Sequence, residues 1–303
     1  VTLARRVHDN AASAARTAIA RLGTFERTVS QKLDDGALIQ LHVRCDGERM
    51  LLDFSGSSGV HPGNFNAPIA ITTGAVVYLM RILADREVPM NEGLLVPVDL
   101  VIPPGMLNPG FTGDAAVDPA VCAGNTETSQ RIVDTLLLPF ELAASSQGTM
   151  NNFLFGNDTY QYYETVCGGS GAGPDFHGTS AVHTHMTNTR LTDVEVIERR
   201  YPVRVHEFSI RVGSGGGGRF PGGDGIVRRI EFLRELSVSI LSERRGPAAP
   251  FGLDGGQPGQ IGRNLLQPAD GSDEVDLGGK VQLDIAPGDV LTILTPGGGG
   301  FGG

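Results

Sequence analysis

Apolar side chains at Leu3, Val7, Ala11, Ala14, Ala18 and Leu22 recur every three or four residues, with Arg5, Arg6, Arg16 and Arg21 mostly between them. This period predicts an amphipathic helix ended by Gly23, and its small apolar face implies close packing against another element. From Ala37 to Cys45 and from Arg49 to Phe54 the period shortens to two, around Asp46-Gly47, a pair suited to a type I′ turn. A β-hairpin is expected there. Asn66-Ala67-Pro68 leads into Ile69, Val76, Leu79, Met80 and Leu83, a second and largely buried helix. Leu94 to Ile102 reads as a strand. A third helix is expected from about Thr126, with Ile132, Val133, Leu136, Leu137 and Phe140 on one side and Pro139 kinking or shortening it.

From residue 150 the pattern changes to short strand-like runs, Val203 to Val212, Gly225 to Phe232, Val238 to Leu241, Val281 to Ile285 and Val290 to Leu294, separated by glycine clusters. The fold class expected is therefore α+β: a mixed helix and hairpin part over residues 1–148, and a β-rich, mostly antiparallel part with long glycine turns over 149–303.

Composition narrows the function. The 303 residues include 43 glycines, roughly twice the ~7% of an average chain, yet 40% are hydrophobic, which excludes a disordered or collagen-like protein. Lys and Arg number 24 against 34 Asp and Glu, and the net charge of −10 argues against a nucleic acid as main partner. The longest apolar stretch, Gly74 to Met80, is far shorter than a membrane-spanning helix, and no signal peptide opens the chain, so a cytoplasmic protein is expected. Cys45, Cys122 and Cys167 form no CxxC pair and read as small buried hydrophobes in a reducing compartment. Because the chain opens at Val1 inside a helical pattern, it is expected to be part of a longer subunit.

Several motifs carry candidate chemistry. Gly213-Ser214-Gly215-Gly216-Gly217-Gly218 fits GxGxxG, but Arg219-Phe220-Pro221 follows where a dinucleotide fold needs a helix, so tight turns between strands are the stronger reading. No GxxxxGK[ST] occurs. Gly168-Gly169-Ser170-Gly171-Ala172 lacks the last glycine and the helix of a nucleophile elbow. The densest polar stretch runs from Ala181 to Arg190. In an extended segment His183 and His185 project from one face, as two imidazoles sharing a proton would, and Asn188 and Arg190 follow them. Two histidines alone do not close a metal site, so no metal ligand set is assigned, and structural hydrogen bonds between strands are the alternative for both rings. Asn125, Glu127, Glu164 and Arg244 are candidate substrate-binding groups: a carboxylate in apolar surroundings can serve as acid or base, and an arginine can grip a carboxylate, while ordinary ion pairing is the alternative.

Taken together these stretches resemble the hydantoinase B/oxoprolinase family. The resemblance rests on Gly124-Asn125-Thr126-Glu127-Thr128-Ser129-Gln130, Gly148-Thr149-Met150-Asn151-Asn152, Glu164-Thr165 with Gly168 through Gly173, Ala181 through Arg190, Glu195-Val196-Ile197-Glu198, Arg211 through Gly225, Ser242-Glu243-Arg244-Arg245, Gly252 through Gly256 and Thr295 through Gly302, in that order. It implies the C-terminal half of a subunit that opens a hydantoin or 5-oxoproline ring, with ATP handled by a hydantoinase A type partner. Acetone and acetophenone carboxylases are similar to the same family, so ATP-dependent carboxylation is the alternative reaction, and a non-catalytic assembly half is a third reading. Family members carry an Asn-Asp-Pro segment and a His/Asp-rich metal-site region in an N-terminal half that this chain lacks. ATP and a divalent metal are therefore expected in the complete enzyme, with no cofactor held by this chain, and an oligomer is expected. Asp175-Phe176-His177-Gly178 departs from the family, where many members have aspartate in place of His177.

Overall fold

The computed structural model describes residues 2–84 and 87–303, and the chain divides into two compact units. The first comprises Val1–Lys32 and Gly36–Phe140. Its elements in chain order are α1 (Thr2–Leu22), β1 (Thr24–Lys32), β2 (Leu38–Asp46), β3 (Met50–Asp53), α2 (Ile69–Leu83), β4 (Val98–Val101) and α3 (Ser129–Leu137). The strands form one sheet in that order, antiparallel except for the parallel pairing of β3 with β4. Ile39, Leu41, Val43 and Cys45 alternate along β2 onto the buried face, where Ala11, Ala14, Ala15 and Ala18 of α1 and Ala75, Val76, Leu79 and Met80 of α2 are also buried. Alanine on α1 keeps the helix close: the Cys45 thiol lies 3.9 Å from the Ile19 carbonyl.

Three local expectations change. Leu3 is 76% exposed, so the buried face of α1 begins a turn and more later than the apolar pattern does. Leu94 belongs to a 3-10 turn, Glu92–Leu95, because the Asn91 side chain caps it through the Gly93 amide, and the strand is confined to Val98–Val101. At the β2–β3 turn Gly47 has φ 89° but neither Asp46 nor Glu48 takes a positive φ, whereas a type I′ turn needs two such residues. Asp46 Oδ1 accepts from the Glu48 and Arg49 amides and sets the turn instead. As expected from Pro139, α3 stops at Leu137 and tightens into a 3-10 turn, Leu138–Phe140.

The second unit comprises Leu33–Asp35 and Glu141–Gly303. It contains β5 (Asn152–Gly156), β6 (Gln161–Thr165), α4 (Val194–Arg200), β7 (Val203–Ile210), β8 (Ile226–Phe232), β9 (Leu236–Leu241), β10 (Arg263–Gln267), β11 (Val275–Asp276), β12 (Lys280–Ile285) and β13 (Val290–Leu294). Two antiparallel sheets, ordered β11-β10-β13-β8-β7 and β12-β9-β5-β6, share one core. Phe153, Phe155, Tyr162, Val238 and Ile240 from one sheet meet Ile226, Ile230, Phe232, Leu291 and Ile293 from the other, and the Phe155 and Phe232 rings pack edge to face at 5.7 Å.

The glycine clusters are less a set of turns than a packed body. Segments 168–173, 213–225, 252–259 and 295–302 run side by side and bond laterally: Gly223 N to Ser170 O, Gly298 N to Gly223 O, Gly216 N to Gly298 O and Ala172 N to Gly299 O. A Cβ on Gly169 would lie 1.9 Å from the Gly223 carbonyl oxygen, and one on Gly298 would lie 2.0 Å from that of Ser170. Only glycine lets backbones approach so closely. The α+β class stands, and the glycine-rich loops of the second unit pack into this body.

Candidate active site

The stretch from Ala181 to Arg190 is a loop with two anchored stems, not an extended strand. Val182 exchanges both backbone hydrogen bonds with Gly168, and its carbonyl also accepts from the Gln147 side-chain amide at 3.4 Å. At the far end Thr189 shares a hydroxyl–hydroxyl bond with Thr165 of β6, and the Thr192 amide reaches Glu164 Oε2 at 3.4 Å. Between the stems the chain turns, with the Thr187 amide bonded to the Thr184 carbonyl and His185 at φ 49°. The geometry expected from an extended segment, with His183 and His185 alternating onto one face, is thus replaced by a turn.

His183 is half-buried, and among the described residues neither of its ring nitrogens has a hydrogen-bond partner. Burial holds its pKa below the ordinary histidine value, so the neutral imidazole is favoured. His185 is also half-buried, and Asn188 and Arg190 are exposed. Ala181 is left-handed at φ 54°, which costs an alanine of the order of 1–2 kcal/mol and marks a backbone held by its surroundings.

Glu164 lies inside the sandwich. Its Oε1 is 2.8 Å from Arg228 Nε, and its Oε2 accepts from the Tyr162 hydroxyl at 2.7 Å. Burial raises its pKa above the ordinary carboxylate value, opposed by Arg228, Tyr162 and the Thr192 amide. Burial likewise pushes the nearby Cys167 thiol up to about 11, leaving it protonated and inert.

Arg244 is buried at φ 60° and donates to the Ala248 and Ala249 carbonyls and the Ser145 hydroxyl. Its neighbour Arg245 bonds Asn151 Oδ1 at 2.6 Å, and Asn151, at φ 48°, bonds Gln147 Oε1 at 2.8 Å. The Gly148–Asn152 and Ser242–Arg245 motifs therefore meet in one buried network that ends, through Gln147, on the stem of the His183 loop. Arg228, Tyr162, Gln147 and Asn151 are not among the site residues expected from the sequence. The legible signal for Arg228 was a charge at an inward position of β8, between Ile226 and Ile230.

In the first unit, Asn125 and Glu127 lie on a π turn, Gly124–Thr128, that leads into α3; Asn125 is exposed and Glu127 buried. The turn is seated by Gly124, whose Cβ would lie 2.1 Å from the Asn66 carbonyl oxygen, and by the Thr128 hydroxyl on the Phe65 carbonyl. Single π turns inside helices recur at functional sites.

With these motif stretches placed, comparison with known proteins is decisive. The Hydantoinase B/oxoprolinase family model matches residues 1–303. The chain belongs to the hydantoinase B/oxoprolinase family. A 5-oxoprolinase of Dictyostelium discoideum is 50% identical over 273 residues, which cover 89% of this chain and 21% of that protein. The ATP-dependent caprolactamase of Pseudomonas jessenii has a similar fold, with a TM-score of 0.84 and 23% identity over 97% of this chain and 54% of that one. An acetone carboxylase structure gives 0.73 and 16% over 96% and 47%. The chain thus spans about a fifth of the matched 5-oxoprolinase and about half of each solved relative.

The solved relatives are ATP-dependent enzymes, and the resemblance implies a divalent metal, so the donor sets bear on both. Among the described residues no group of three His, Cys, Asp or Glu side chains is arranged to hold a metal ion. The GxGxxG stretch is not followed by a helix, and its Gly215 and Gly216 amides are bonded to Asp224 Oδ1 and the Gly298 carbonyl. These residues fit neither a metal nor a nucleotide phosphate, and no step below runs through either in this chain. Among the described residues no helix is long and apolar enough to cross a membrane.

Proposed function

We propose that this chain is part of an ATP-dependent cyclic amide hydrolase that opens 5-oxoproline or a hydantoin, in which a hydantoinase A type partner handles ATP and the rest of the subunit completes the site. The observation that carries the reading is His183: a half-buried imidazole that burial biases toward its neutral form, with no ring hydrogen bond among the described residues, on a loop pinned at both stems and followed by Asn188 and Arg190. The 50% identity to a 5-oxoprolinase favours amide opening over ketone carboxylation.

A ring amide resists water because its carbon is a weak electrophile. ATP handled by the partner would supply a phosphoryl group to the amide oxygen and so remove that resistance. Water then adds to the carbon as His183 takes its proton. Collapse of the adduct breaks the C–N bond, and the imidazolium returns the proton to the leaving ring nitrogen. The acyl phosphate left behind is hydrolysed to carboxylate and phosphate. Asn188 orients the ring carbonyl or N–H, and Arg190 holds a carboxylate or phosphoryl group by its planar fork. His185 is the second proton carrier of the loop. Asn125 and Glu127 are proposed as substrate contacts from the π turn; Arg244, already bonded to two carbonyls and a hydroxyl, supports the network beneath the loop.

The test is ADP release coupled to ring opening by the complete enzyme with its partner. His183→Ala is expected to lower turnover roughly 10²–10⁴-fold with little change in the thermal midpoint. Full turnover in that variant defeats the assignment.

A further inference from the structure

We propose that Arg228 and Glu164 are positioning residues that hold the His183–Arg190 loop in its working geometry. The inference rests on reading that loop as part of the active site.

Arg228 occupies a core-facing position of β8, with Ile226, Ile230 and Phe232 on the same face, and is 0% exposed. A hydrophobic residue would fill that place at least as well, since buried ion pairs often contribute less than apolar packing of equal volume. What the pair supplies is direction. Arg228 forms an ion pair with Glu164, its Nε 2.8 Å from Oε1 and its Nη2 donating to Oε2 at 3.5 Å, and the Phe208 ring covers the guanidinium at 5.0 Å. Held in this way, Glu164 Oε2 also accepts from the Tyr162 hydroxyl and the Thr192 amide. The next residue, Thr165, holds Thr189. Two adjacent side chains of β6 therefore grip the far stem of the loop, and Gly168 and Gln147 grip the near one at Val182. Neither Glu164 nor Arg228 reaches solvent to touch a substrate, so each acts through the loop.

The test uses the complete enzyme and two readouts, turnover and amide hydrogen exchange by segment. The double variant Glu164→Leu/Arg228→Met keeps packing and removes the anchor. A thermal midpoint close to that of the parent is expected, with exchange across residues 183–192 accelerated, kcat lowered roughly 10–100-fold as for a small misplacement of a catalytic group, and KM changed less. Glu164→Gln, which keeps an acceptor for the Thr192 amide, should retain more kcat than the double variant. Should the double variant not fold, Arg228→Lys, which keeps the charge and loses the fork, is expected to speed exchange in 183–192 while leaving β5, β8 and β9 unchanged. Parent-like exchange in that segment overturns the proposal, as does parent-like kcat in the folded double variant. A loss of kcat with unchanged exchange overturns it too, by giving Glu164 a direct role. Exchange does not depend on the chemistry, so full turnover in His183→Ala would defeat the active-site reading and leave the anchoring result standing.

Discussion

Two residues show how close contacts set what each side chain can do. Burial lowers the pKa of His183, so the folded protein binds its proton less readily than the unfolded chain does. The sign follows: stability is unaffected well above the unfolded value of ~6.5 and falls as pH drops through it toward the folded value. We expect His183→Gln to flatten that acid-side loss of stability in denaturant titrations, and the acid limb of kcat/KM in the complete enzyme to lie below pH ~6.5. An acid limb at or above that value is incompatible with a half-buried base whose pKa burial lowers. At Gly298 the restraint is steric and is imposed by backbone, which cannot swing aside as a long side chain can. Gly298→Ala is expected to destabilise by at least the ~1–3 kcal/mol of an overpacked core, seen as a lower denaturation midpoint; an unchanged midpoint would contradict the packing described.

At the scale of elements, the site depends on how segments begin and end. Asp193 Oδ1 accepts from the Glu195 and Val196 amides and starts α4 directly after the loop stem at Thr192. Replacing Asp193 by Ala should cost about 0.5–2 kcal/mol, measured by chemical denaturation, and should accelerate exchange at residues 194–197 before it affects the sheets. The π turn at Gly124–Thr128 owes its place to backbone contacts with Asn66 and Phe65. Asn66 in turn donates its side-chain amide to the His61, Gly63 and Ala120 carbonyls and accepts from the His61 amide. That knot, built by residues far apart in sequence, is why the turn's position could not be read from Gly124–Gln130 alone.

On the scale of the whole molecule, the second unit combines a sandwich with a glycine-packed body whose amides are largely engaged with one another. Such a body leaves no cradle of backbone donors at a helix N-terminus, where phosphates are commonly held. Titration of Mg-ATP into this chain is expected to give no heat of binding, and titration into the chain joined with the proposed hydantoinase A type partner is expected to give a saturating isotherm. Micromolar affinity for the chain by itself would end the proposed division of labour.

Periodicity alone placed α1, α2 and α3, the β2–β3 hairpin and five strands of the second unit, because each depends on local spacing of apolar residues and on breakers such as Gly23 and Pro139. The motif stretches carried the family for a similar reason, being short runs of residue types that keep their order. Tertiary structure decided the rest. The strands β5 and β10 lacked a clear alternation, and each pairs with a strand far along the chain, β9 and β13. Leu94 went to a capped turn because the Asn91 side chain competed for the backbone. The loop around His183 turned because its stems are tied to Gly168 and β6, which no local rule of alternation contains. Glu164 reads from Tyr162-Tyr163-Glu164-Thr165 as either a substrate-binding carboxylate or one half of an ion pair, and only the arrival of Arg228 from 64 residues away shows it paired and buried. Spacing along one segment sets local conformation; the use of a charge is set by which segments fold against it.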